Sequence, residues 1–209
     1  VLLYAHGGGY LFGEPLMYLE SYKRWVREAE ANGIRLIIVS VDYRLSTTAK
    51  FPAYRDDFIE SYRSLIFEKG ISSDRIIFGG DSAGGNLCAI SAIYARNTGL
   101  PKPAGLILLS PWLDLTHEQT LYSPAMKTDF LTTFTYANPM LVEHLLPEDM
   151  VASDPQISPI FDELHSLPPQ IVFVGGAEVL LPDSKDWVMR SKAAGNAVEF
   201  VLEQGQVHM

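Results

Sequence analysis

The sequence predicts an α/β fold, with a mostly parallel sheet carrying helices on both faces, in one domain over residues 1–209. Three observations carry this. Short apolar, β-branched runs recur along the chain. Several are apolar at consecutive positions, as strands buried on both faces are. Longer stretches with helical spacing lie between them, and the alternation demands right-handed crossovers onto a parallel sheet.

Val1–Ala5 reads as the first strand and Leu36–Val41 as the second. Tyr54–Lys69 has apolar Phe58, Ile59, Tyr62, Leu65 and Ile66 at helical spacing. Arg75–Phe78 is the next strand, Ala83–Asn97 a helix, and Gly105–Leu109 a strand. Ile171–Val174 and Val198–Leu202 close the set, with a helix over Asp183–Ala194 between them. Gly195 is a natural stop for that helix, and Asp183 is placed to cap its start.

The stretch 115–167 breaks the rhythm. It carries Pro124, Pro139, Pro147, Pro155 and Pro159 and no clear strand. Long insertions in compact domains are usually functional. Two readings stand side by side: cap or lid elements over the C-terminal edge of the sheet, or a packing excursion.

Composition narrows the function classes. Apolar residues make up 47% and charged residues 20%, an ordinary globular balance. A net charge of -9 repels polyanions and argues against a nucleic-acid partner. Cys88 is the only cysteine, which excludes an internal disulfide and a cysteine-rich metal site and fits an intracellular setting. No apolar run approaches the roughly 20 residues of a membrane helix, so membrane association is not visible. The chain starts at Val1 inside an apolar run and stops one residue after His208. Both ends are therefore expected to continue in a longer protein, and the isolated piece to be weakly stable.

Arg75-Ile76-Ile77-Phe78-Gly79-Gly80-Asp81-Ser82-Ala83-Gly84-Gly85-Asn86-Leu87 joins an apolar strand, a Gly-x-Ser-x-Gly turn and a helix-forming stretch. A nucleophile elbow requires this order. The serine sits on a strained turn, and Gly80 and Gly84 let strand and helix approach closely. The helix N-terminus favours negative charge developing nearby. Ser82 is the expected nucleophile. A merely tight glycine turn would explain the spacing but not its placement between strand and helix.

Tyr4-Ala5-His6-Gly7-Gly8-Gly9-Tyr10 leaves the first strand at its C-terminal end. Three glycines leave backbone N–H groups unshielded, as an oxyanion loop needs. A phosphate loop would want Lys and Ser or Thr directly after it, and neither follows. His6 reads as a brace for the loop.

A serine hydroxyl needs a general base within hydrogen-bond reach. His117, His144, His165 and His208 follow Ser82. His208 lies on a short loop after the last strand, so it overhangs the edge where Ser82 sits. The other three fall in the irregular insert. The acid belongs between Ser82 and the histidine, at a strand end. Glu178 follows Ile171–Val174 after the bend Gly175-Gly176-Ala177 and is favoured; Asp183 and Asp114 are the alternatives.

Together His6-Gly7-Gly8-Gly9, Asp42-Tyr43-Arg44-Leu45, Gly80-Asp81-Ser82-Ala83-Gly84-Gly85-Asn86-Leu87, Ser110-Pro111-Trp112-Leu113-Asp114, and Asp154-Pro155 with Ser158-Pro159 resemble the hormone-sensitive lipase branch of the α/β-hydrolase esterases. The resemblance spans almost the whole chain. It implies an eight-stranded sheet of which this chain carries six strands. It also implies that Gly8, Gly9 and Ala83 donate N–H groups to the oxyanion. The family usually reads Asp-x-Leu-x-Asp at the acid. Glu178-Val179-Leu180-Leu181-Pro182-Asp183 is similar instead to a fungal subgroup that includes steryl acetyl hydrolase-like proteins, and arylacetamide deacetylase-like proteins share the triad. The implied activity is hydrolysis of small to medium apolar carboxylic esters through an acyl-enzyme, with no metal or cofactor. An amidase, or a catalytically weak ligand-binding module on the same fold, is the alternative.

Overall fold

The computed structural model describes residues 1–131 and 140–208. Among the described residues, six strands form one sheet: β1 (Leu2–Ala5), β2 (Ile38–Ser40), β3 (Ile77–Asp81), β4 (Gly105–Leu109), β5 (Gln170–Gly175) and β6 (Val198–Glu203). Their order is β2-β1-β3-β4-β5-β6, and every pairing is parallel. The helices are α1 (Leu19–Ala31), α2 (Ala53–Arg63), α3 (Ala83–Thr98), α4 (Met140–Leu145) and α5 (Leu181–Ala193).

Alternation along the strands divides the sheet into two faces. Leu3, Ala5, Phe78, Leu106, Leu108 and Val172 enter the main core with Phe58, Tyr62 and Leu87. Phe78 meets Phe58 and Tyr62 edge-on, at 5.0 and 4.7 Å between ring centroids. Burying each such aromatic stabilises the fold by about 1.5–3 kcal/mol. On the other face Leu2, Tyr4 and Tyr22 form a smaller cluster, with Trp25, Ile77, Ile107 and Leu109 half-buried against it. That face is covered by α1, which the sequence reading did not assign.

Several boundaries differ from expectation. Ser73–Arg75 forms a 3-10 turn, so β3 starts at Ile77 and runs on to Asp81. The helix expected over Tyr54–Lys69 ends at Arg63 and continues as a π-helical turn over Ser64–Glu68. In the insert, the described residues hold α4 and short 3-10 turns but no strand. Leu145, Leu146, Ile157, Ile160, Leu164 and Leu167 pack into the main core. No helix among the described residues is long and apolar enough to cross a membrane.

The strand order fixes where a site can form. The chain runs from β1 outward to β2, then returns across β1 to β3. Loops leaving the C-terminal ends of β1 and β3 therefore diverge at a topological switch point, the usual ligand crevice of an open α/β sheet. Ala5 pairs with Gly80 at that edge, so the His6–Gly9 loop and Ser82 leave the sheet side by side.

Candidate active site

Ser82 joins β3 to α3 with φ 50° and ψ -118°, a strained backbone for a residue with a side chain. Its neighbours explain how the turn closes. A Cβ on Gly80 would lie 2.4 Å from the Gly84 carbonyl oxygen, and one on Gly84 would lie 2.1 Å from that of Ala5. Ser82 N–H donates to Leu109 O at 2.9 Å, and Trp112 N–H donates to Ser82 O at 3.0 Å. The nucleophile's backbone is thus clamped by the segment that follows β4.

His208 Nε2 lies 3.0 Å from Ser82 Oγ. With Nε2 accepting from the serine, the imidazole proton sits on Nδ1, which faces Glu178 Oε1 at 3.7 Å. That separation is an ion-pair distance for a protonated ring, beyond hydrogen-bond reach for a neutral one. Both side chains are buried, and among the described residues neither Nδ1 nor Oε1 has a hydrogen-bond partner. Glu178 Oε2 accepts from Gly175 N–H at 2.8 Å and Ser110 Oγ–H at 2.6 Å. The bend expected at Gly175-Gly176 has a steric cause: a Cβ on Gly175 would lie 2.4 Å from Gln206 O. Ala177 N–H donates to that oxygen at 2.8 Å, fastening the acid loop to the turn that carries His208.

The glycine loop faces this pair. Gly8 has φ 112°, and a Cβ there would lie 2.2 Å from Phe12 O, so only glycine fits. Gly8 O closes the loop by accepting from the N–H groups of Leu11 and Phe12. Among the described residues, the N–H groups of Gly8, Gly9 and Ala83 have no protein acceptor. His6 is buried and stacks on Tyr43 at 4.4 Å, while Tyr43 O–H donates to His6 O at 2.7 Å. Gly7 N–H and Tyr4 O–H donate to Asp81 Oδ1, and Tyr18 O–H donates to Oδ2 at 2.7 Å. Burial raises the Asp81 carboxyl above its ordinary value despite these donors. Asn86 ties the parts together: its Oδ1 accepts from Tyr10 O–H, and its Nδ2 donates to Trp112 O and Ile157 O.

A cavity of about 270 Å³ opens over Ser82 and His208, with Gly8 and Gly9 on its wall. Leu11, Phe12, Met17, Trp112, Phe130, Leu131 and Leu180 make most of the rest apolar. Phe130 and Leu131 come from the insert, so part of it walls the site. Of the aromatics that flank the glycine loop and follow β4, Phe12 and Trp112 line this cavity. Tyr10 does not; it is buried and stacks on Tyr54 at 4.1 Å.

The alternative residues lie elsewhere. Asp114 Oδ1 accepts from Thr116 N–H and Oγ1–H. His117 stacks on Trp112 and accepts from its Nε1–H at 3.1 Å, and burial lowers its pKa. His144 and His165 are exposed. Asp183 is not the cap expected of it. The cap is Leu180, without a side-chain bond, because Leu181-Pro182 already begin α5. Asp183 turns inward instead, where Thr120 Oγ1–H donates to it at 3.2 Å. Ser110 and Tyr18 were missed; Ser110 carried a signal, as the residue that leaves a strand end beside the elbow.

Burial, and then the charge of Asp114, push the Asp183 carboxyl up to about 7. An unfolded chain releases that proton near pH ~3.9. The folded state therefore binds the extra proton between those values. Its stabilisation is complete below the unfolded pKa and is lost as pH rises through about 7. Asp183→Asn is expected to remove this slope, on the order of a few kcal/mol across the window. Urea midpoints at pH 5 and pH 8 test it: the variant should gain on the parent at pH 8, and an identical pH dependence would contradict the assignment.

A family model described as alpha/beta hydrolase fold matches residues 2–209. An esterase of Acinetobacter venetianus is 32% identical over 205 residues, 98% of this chain and 65% of that protein. An acetyl-hydrolase of Streptomyces hygroscopicus is 32% identical, over 95% of this chain and 64% of its own length. The chain thus spans just under two thirds of these relatives. The crystal structure of a hormone-sensitive lipase from a metagenome library superposes with a TM-score of 0.86 at 38% identity, covering 99% of this chain and 67% of that one.

Proposed function

Because this chain belongs to the α/β-hydrolase fold family, in its hormone-sensitive lipase branch, we propose that it carries the catalytic centre of a serine carboxylic-ester hydrolase. One observation carries the reading: Ser82 Oγ and His208 Nε2 stand 3.0 Å apart on the floor of an apolar cavity, with Glu178 buried behind the imidazole. His208 takes the Ser82 proton as Oγ bonds to the ester carbonyl carbon. The imidazolium then carries its charge toward Glu178, and attraction shortens the Nδ1–Oε1 gap. The oxyanion accepts from the N–H groups of Gly8, Gly9 and Ala83. As the intermediate collapses, the alkoxide leaves with the proton from His208, and the acyl group stays on Ser82. Water, deprotonated by the same imidazole, attacks the acyl carbon; as this second intermediate collapses, the carboxylic acid leaves and Ser82 Oγ takes the proton back from His208.

The apolar lining supports an uncharged acyl group of small to medium size, with Phe130 and Leu131 of the insert acting as a cap wall. Matched nitrophenyl esters and nitroanilides test the reaction class. The intact protein should hydrolyse the ester and leave the anilide far behind. Equal rates would favour an amidase, and turnover of neither would favour a binding module.

A further inference from the structure

We propose that Ser110 is a positioning residue for the acid, and that its hydroxyl aims Glu178 at His208; this rests on the esterase reading above. Ser110 follows β4 with φ 45°, in the left-handed region that non-glycine residues seldom adopt. It is buried, and its N–H donates to Phe173 O on β5 at 2.8 Å. Its Oγ–H donates to Glu178 Oε2 at 2.6 Å. A strained residue that holds a functional group points to a role for the strain.

The surroundings say what the role is. Leu109, before Ser110, accepts from Ser82 N–H, and Trp112, two residues after it, donates to Ser82 O. Ser110 therefore sits on a segment fixed to the nucleophile's backbone at both ends. Its hydroxyl references the acid to that same segment. A glutamate has one more rotatable bond than an aspartate, so its carboxylate needs more restraint to hold one direction. Here Oε2 is held from two sides, by Ser110 and by Gly175 N–H, and only Oε1 is left for His208 Nδ1. Among the described residues, Asp81 acts on His208 through its charge, and the Asp129 carboxylate accepts from Val179 N–H, next to Glu178. Neither bonds to Glu178.

Two substitutions separate the hydroxyl from the backbone. Ser110→Gly removes the hydroxyl and suits φ 45°; Ser110→Ala removes the hydroxyl and keeps the strain. In the intact protein both are expected to lower kcat on a nitrophenyl ester by about 10–100-fold, the usual worth of a hydrogen bond to a charged group. KM should stay within about twofold, since the hydroxyl touches no substrate. Losing the donor leaves the carboxylate charge less stabilised and favours the imidazolium. The acid limb of kcat/KM should therefore move up by about one pH unit in both variants. Parental turnover with an unshifted limb and unchanged kcat in Ser110→Gly would overturn the role of Ser110 alone. Loss of folded protein in both variants would mark the contact as structural and overturn it too. A parental protein without ester turnover overturns the esterase reading, and this proposal with it.

Discussion

Replacing Ser82 with alanine is expected to lower kcat on a nitrophenyl ester by about 10⁶-fold, the loss found when a triad nucleophile is removed elsewhere. The size follows from the geometry. Ser82 Oγ is the atom within reach of His208 Nε2, at 3.0 Å, that can form the acyl-enzyme. Alanine keeps the turn, since its Cβ meets the same strain at φ 50° as serine does. The thermal midpoint should therefore change little, which separates lost chemistry from lost fold. KM should stay near the parental value, because Leu11, Phe12 and Phe130 still wall the cavity. Residual hydrolysis about 10³–10⁴-fold over water would come from the N–H donors and binding. Steady-state rates beside a melting curve are the check; a variant keeping a tenth of the parental rate would rule out Ser82 as nucleophile.

Glu178→Gln is expected to lower kcat by about 10⁴-fold, as an acid-to-amide change in a triad does. The glutamate accepts from Ser110 and Gly175 through Oε2 and leaves Oε1 for His208. Both groups bonded to Oε2 are donors, so in glutamine the carbonyl oxygen takes that place. The amide NH₂ then points at His208 Nδ1. An imidazole accepting there holds its proton on Nε2 and cannot receive the one from Ser82. The fault is a wrong tautomer, so the fold survives while the rate falls. If Asp114 or Asp183 were the acid, this substitution would leave kcat within a few-fold. Rates for Glu178→Gln and Asp183→Asn measured side by side decide between them.

Local chemistry was legible in the sequence, and long-range geometry was not. The elbow and the glycine loop are short patterns whose spacing dictates their shape. Ser82 could thus be named from residues alone, while Gly8 and Gly9 as donors came from the family resemblance; the structure sets Ser82, Gly8, Gly9 and His208 around one cavity, with Glu178 buried behind His208. The strands were legible because parallel strands buried on both faces read as apolar runs. Helix α1 was not, because Leu19–Ala31 is dominated by Glu, Lys and Arg and buries only Tyr22 fully. Ser110 was hidden because its role depends on β4 pairing with β5, where Leu109 lies opposite Phe173. Asp183 misled for a related reason. A carboxylate in the first turn of a helix reads as a cap, and although Pro182 marks the earlier start of α5, nothing local tells that Asp183 turns inward.

The central claim is that Ser82 is a nucleophile activated by His208, and covalent trapping tests it most directly. The intact protein is treated with a fluorophosphonate, which phosphonylates an activated serine, and its peptides are weighed. The account predicts one adduct, on the peptide carrying Ser82, and none in Ser82→Ala. An adduct elsewhere, or a folded protein that takes up none, would contradict it.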